Sequence, residues 1–178
     1  MQGEGPAAQA EQAEALAAAC PEERAQYLVE AAEGWAAAGR PDRAGELFEA
    51  AIADGGQVAG DVRAYYAGFL FDTGRPEAAL RQLDDLMAAN PNDPAAYVCA
   101  AEVLEEAADL DGALRWFTMG LHRFFGDFGV QDITGDTALL QLVGGRRRVR
   151  QQLELPADRW DELATRAQVI LLEGLEQG

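Results

Sequence analysis

The sequence predicts an all-α fold, an α-solenoid of three consecutive helix pairs closed at its C-terminal end by a capping helix pair. Three observations carry this. Of 178 residues 49% are hydrophobic but only 8% aromatic, and much of the apolar fraction is alanine, which costs least side-chain entropy in a helix and lets helices approach closely. The segments Gly39-Arg40-Pro41-Asp42-Arg43-Ala44 and Gly74-Arg75-Pro76-Glu77-Ala78-Ala79 share one turn and one helix start, with Ala108-Asp109-Leu110-Asp111-Gly112-Ala113 as a looser third copy. Around each copy apolar residues recur at fixed offsets, as in a repeat array.

An alanine-rich stretch, 8–19, forms a short helix ahead of Pro21, within an N-terminal segment 1–20. Helices are then expected at about 22–38, 42–54, 60–73, 77–89, 94–107 and 110–123. Within them Ala44, Ala79 and Ala113 are each followed four residues later by Phe48, Leu83 and Phe117, and three further on by Ala51, Leu86 and Gly120. Upstream, Ala32 precedes Trp35, Ala67 precedes Leu70 and Ala101 precedes Leu104 by three residues. One helix pair cannot bury its apolar face alone, so small residues allow close approach while bulky ones fill the gap to the next pair. Pro41 and Pro76 fall in a first helical turn, where a missing N–H is harmless, and Gly39 and Gly74 suit the left-handed residue that ends the preceding helix. After residue 127 the period stops. Phe124-Phe125-Gly126-Asp127-Phe128-Gly129 opens a connector, and the segment 128–178 continues into helices at about 136–153 and 158–175. Gly144-Gly145 could break the first of these. In the second, Trp160, Leu163, Ala164, Ala167, Ile170 and Leu171 form an apolar stripe suited to covering the end of the stack or to meeting a partner.

The repeated unit resembles the tetratricopeptide repeat family, whose 34-residue unit has small residues at positions 8, 20 and 27, bulky ones at 4, 11 and 24 and proline at 32. In that frame residues 21–127 hold three repeats, 25–58, 60–93 and 94–127, with Ala59 inserted. Leu28 and Tyr97 fill the fourth position, Ala32, Ala67 and Ala101 the eighth, and Pro91 the thirty-second. Arg63 at the fourth position, Leu86 at a small position, and Gly56 and Phe125 in place of proline depart from the pattern. Trp35, at the eleventh position, and Trp116, beside the twenty-fourth, are expected in the core. The resemblance implies a concave groove lined by positions 2, 5, 9, 12 and 13 of the first helices. Those positions are Gln26, Val29, Glu33, Ala36 and Ala37, then Asp61, Ala64, Gly68, Phe71 and Asp72, then Ala95, Val98, Glu102, Glu105 and Glu106. Members that grip a chaperone's C-terminal carboxylate carry lysine, asparagine and arginine at several of these positions, and none of those residue types occurs in this set. An acidic groove with an apolar floor of Val29, Phe71 and Val98 is expected instead, fitting a basic peptide or protein with apolar anchors. The same carboxylates would also serve simply to solvate a helix surface. The layout further resembles actinobacterial repeat proteins, a likeness that adds no activity.

Charge narrows the partners. The formal net charge is −17 and every basic residue except His122 is arginine. Such a chain is repelled by phosphate backbones and anionic lipid surfaces, so nucleic-acid and membrane partners are not expected. The one concentrated positive segment is Arg146-Arg147-Arg148 with Arg150. It suits a solvated helix face, docking of Arg146, Arg147 and Arg150 against the acidic groove of the same or a neighbouring chain, or contact with an anion. A start carrying Glu4, Glu11 and Glu14 lacks the basic region of a secretory signal, and a cytoplasmic bacterial protein is the expectation. Cys20 and Cys99 have no metal or redox spacing, so no metal or cofactor is expected. Serine is absent, His122 is solitary, and neither G-x-x-x-x-G-K-[ST] nor G-x-G-x-x-G occurs. The expected function is a non-enzymatic protein-interaction scaffold. A structural homo-oligomer joined through the C-terminal helices or Phe124, Phe125 and Phe128, and a small-ligand sensor or unrecognised hydrolase, remain as alternatives.

Overall fold

A computed structural model describes residues 5–176, with side chains through Glu173; Met1–Glu4, at the start of the expected N-terminal segment, and Gln177 and Gly178 lie outside the described residues. The described chain is helical throughout and divides into two compact units, residues 1–90 and 91–178.

In the first unit α1 (Pro6–Ala19) and a short 3-10 turn precede α2 (Arg24–Ala37), α3 (Pro41–Asp54), α4 (Val62–Asp72) and α5 (Pro76–Ala89). Each helix packs on the next, and α4 also meets α2. Alanines at the small positions, Ala32, Ala44, Ala51, Ala67 and Ala79, are fully buried, as are Phe48, Leu70 and Leu86. Phe48 anchors an aromatic cluster with Tyr66 and Phe69, ring centroids 5.3 and 5.4 Å away. The N-terminal helix belongs to this core. Ala10, Ala13 and Ala17 are buried against α2, and a Cβ on Gly34 would stand 2.9 Å from that of Ala10. Glu14 fixes the seat by accepting hydrogen bonds from the Trp35 indole at 2.6 Å and from Arg43. Trp35 is thus half-buried rather than enclosed.

The second unit contains α6 (Pro94–Glu106), α7 (Leu110–Phe124), α8 (Val130–Gly135), α9 (Thr137–Gln152) and α10 (Arg159–Glu176). Here α6 packs on α7, α9 lies against both, and α10 covers α8 and α9. Trp116 is buried with Tyr97, ring centroids 5.4 Å apart. Aspartate caps recur because a carboxylate accepts the unpaired N–H groups of a first turn. Asp61, Asp93, Asp109 and Asp136 do so at 2.8–3.0 Å for α4, α6, α7 and α9.

Two features differ from the sequence reading or settle it. The glycine-containing connector holds the extra helix α8, too short to show a period, whose Ile133 is fully buried. And α9 runs unbroken through Gly144-Gly145. At Gly145 the absence of a side chain is what the packing needs, since a Cβ there would run into the Phe117 ring of α7. The end of α9 also repeats a turn already used three times. After α2, α4 and α6 the residues Gly39, Gly74 and Ala108 take positive φ, and the next N–H, of Arg40, Arg75 and Asp109, donates back to Trp35, Leu70 and Leu104. After α9, Glu154 takes φ 55° and the Leu155 N–H donates to the Arg150 carbonyl. So α9 ends as the first helices of the repeats end.

Candidate functional site

The groove positions on α2 and α4 are a mixture of core and surface. Val29 and Ala64 are buried, which removes Val29 from any ligand's reach, whereas Phe71 is half-exposed and Ala37, Glu33 and Asp72 are exposed. Asp61 spends its carboxylate on the Arg63 N–H as the cap of α4. Gln26 donates to Glu30 and accepts from the Ala59 N–H, tying α2 to the α3–α4 connector. Among the described residues Glu33 makes neither a hydrogen bond nor an ion pair, and loss of solvent around its carboxyl, with Glu30 nearby, pushes its pKa above the usual carboxylate range.

On α6, Val98 is likewise in the core. Glu105 is engaged by the chain itself: the Arg148 guanidinium of α9 donates to its two oxygens at 2.8 and 2.7 Å, and Gln152 adds a third bond at 2.7 Å. That grip, with Arg148 holding most of it, lowers the Glu105 pKa. Glu102 lacks such a partner. Burial raises its pKa, the Arg148 charge opposes this, and Glu105 and Glu106 reinforce it. Glu106 is exposed.

The other arginines of α9 hold α10 rather than a groove carboxylate. Arg146, 7% exposed, donates to Asp158 at 2.6 and 3.1 Å, to Asp161 at 3.4 Å and to the Thr118 hydroxyl at 3.3 Å, with its guanidinium 4.8 Å from the Trp160 ring centre. Arg150 reaches Asp161 at 2.8 Å and the Pro156 carbonyl at 2.6 Å, and Arg147 bonds Gln168 at 2.9 Å. One helical turn apart, Arg146 and Arg150 do converge on anions, and those anions are the chain's own Asp158 and Asp161. The two aspartates also cap α10 reciprocally: Asp158 accepts the Asp161 N–H at 3.1 Å and Asp161 accepts the Asp158 N–H at 3.0 Å. Sequence reading missed them, although the spacing Asp158-x-x-Asp161 ahead of an apolar stripe was the available sign.

Phe128 is buried and stacks on Trp160 at 5.7 Å, and Phe124 meets Tyr97 at 5.5 Å, so these aromatics chiefly serve the unit's interior. The His122 ring is 5.0 Å from Trp160. No disulfide joins Cys20 and Cys99. Among the described residues, no group of three or more His, Cys, Asp or Glu could hold a metal ion, and no helix is long and apolar enough to cross a membrane.

A family model described as tetratricopeptide repeat matches residues 36–101, from the end of α2 through the middle of α6. No curated protein and no solved structure matches the chain. Over the matched stretch the chain is similar to tetratricopeptide repeats, units that generally mediate protein–protein interaction.

Proposed function

We propose that this tetratricopeptide-repeat chain is a non-catalytic scaffold whose acidic first-helix faces take up arginine-bearing segments of partner proteins. The observation that carries the reading is the seat of Arg148 on Glu105, a bidentate guanidinium–carboxylate pair built on a first-helix position from the chain's own residues. Such forked pairs are strong and geometrically specific. Among the described residues the carboxylates of Glu33 and Asp72 on the first unit have no such partner, and the half-exposed Phe71 offers an apolar contact beside Asp72 in sequence. A net charge of −17 favours encounter with basic surfaces and makes it sensitive to salt.

The test is capture of partners from the native cell's lysate by wild type and by the double reversal Glu33→Arg with Asp72→Arg. Both positions are exposed, so the fold survives the change, whereas reversing Glu105 would also break the Arg148 contact between α6 and α9. A basic partner held by wild type, released by moderate salt and lost on reversal is the expected result. A partner that stays with the double reversal would show that these faces are not the binding surface.

A further inference from the structure

We infer that α9 and α10 form a self-complementary interface through which two copies of this chain pair about a two-fold axis. At the exposed end of α10 three apolar side chains lie open, Val169 at 49%, Ile170 at 50% and Leu172 at 55% exposure. Beside them a cleft of about 460 Å³ runs between α9 and α10, with Leu140, Val143, Ala164, Leu171 and Leu172 as its apolar lining and Glu102 of α6 facing Arg147 and Arg148 at its polar edge. Gly144 also lines it, and nothing lies within 4 Å of where a Cβ on that residue would stand, so there is room for an incoming side chain. A projection and a recess on the same helix pair, sharing Leu172, are the parts a symmetric interface needs, because each copy then offers what the other receives.

Charge decides between a second copy and a different partner. Residues 137–176 contain six arginines and six carboxylates, so the whole excess of −17 belongs to the rest of the chain. Most surfaces of two copies repel each other, and this helix pair is the segment they can bring together without a like-charge penalty. A basic partner, which the acidic faces attract, is less favoured here, because Arg147 and Arg148 line the same cleft as Glu102. The inference therefore goes beyond the proposed scaffold function, and the two respond to salt in opposite directions. Salt screens the repulsion between copies and strengthens pairing, while it weakens capture of a basic partner.

Sedimentation equilibrium of the full chain over a wide concentration range tests it. The mass should rise from 19.1 kDa toward twice that value, and further so at moderate salt. Leu172→Glu should weaken pairing roughly tenfold or more, since the buried leucine is lost at both symmetric contacts. Gly144→Trp fills the cleft and should act likewise; Leu80→Glu, at an exposed leucine on α5, should change nothing. Circular dichroism checks that each variant stays helical, and Leu172→Glu, on an exposed helix end, keeps the test valid if the tryptophan is not tolerated. A monomer mass at every concentration, or pairing unaffected by both Leu172→Glu and Gly144→Trp, overturns the inference.

Discussion

At Ala108 the backbone takes φ 63°, in the turn that Gly39 and Gly74 make at 73° and 72°. The left-handed conformation presses a Cβ against the carbonyl and costs an L-residue roughly 1–2 kcal/mol, partly offset by the greater entropy that glycine loses on folding. Ala108→Gly is therefore expected to stabilise the second unit by about 0.5–1 kcal/mol in chemical denaturation. A fall in stability would mean that the methyl group makes a contact worth more than the strain. The adjacent glycines of α9 make a sharper pair. Gly144 faces open space, so Gly144→Ala should add up to about 1 kcal/mol from helix propensity alone. Gly145→Ala drives a methyl into the Phe117 ring and should cost about 1–3 kcal/mol through overpacking. If both alanines shift stability the same way, Gly145 is not the notch that lets α9 approach α7. A glycine pair reads as a helix break when only propensity is considered. The reason for keeping it lies in a ring 28 positions away, which no local pattern displays.

Among the elements, the repeat helices were the most legible, since each copy states the same small and bulky positions and the turn residues fix where helices end. The α1 helix was visible as alanine content, but its seat on Glu14, Trp35 and Arg43 joins residues up to 29 apart and belongs to tertiary structure. The hold on α10 was hidden in the same way. An arginine cluster on α9 suggested an anion, and the anion proved to be the cap of the following helix. Burial raises the Asp158 pKa, but hydrogen bonds from Arg146 and the Asp161 N–H and the charges of Arg146 and Arg150 outweigh it, leaving a net lowering from 3.8. A depressed carboxylate stabilises the fold above its unfolded value and releases that stability as pH falls through the folded one. Hence α10 should loosen in the acid range below about pH 3.8, earlier than the alanine-packed α2–α3 pair, as hydrogen exchange on α10 amides would record. Arg146→Ala leaves Asp158 without its forked guanidinium partner while Arg150 still holds Asp161, and should cost about 1–3 kcal/mol in the docking of α10. An equal loss from Arg147→Ala, whose partner is the neutral Gln168, would contradict this.

For the whole molecule the titration of Glu33 and Glu102 runs opposite to that of Asp158. Partial loss of solvent around each carboxyl raises both, so the folded chain holds their protons more tightly than the unfolded one, and their contribution to stability fades as pH rises through those raised values. A cationic partner relieves the strain by supplying the missing charge. Capture of a basic partner should accordingly weaken as pH drops from neutral toward the carboxylate range, because Glu33 takes its proton before an ordinary glutamate does; capture that holds steady there would exclude Glu33 from the contact. The groove positions came from the repeat frame, which locates a residue on a helix but not its depth: Val29 and Val98 are core, while Glu105 is already occupied. What covers a position depends on the next helix in space, and α9 stands outside the 34-residue period. The seat of α10 has one further use. Trp160 is half-buried, flanked by Phe128, His122 and the Arg146 guanidinium, so its emission should redden when that helix lifts, giving the protein a built-in optical gauge of its own C-terminal closure.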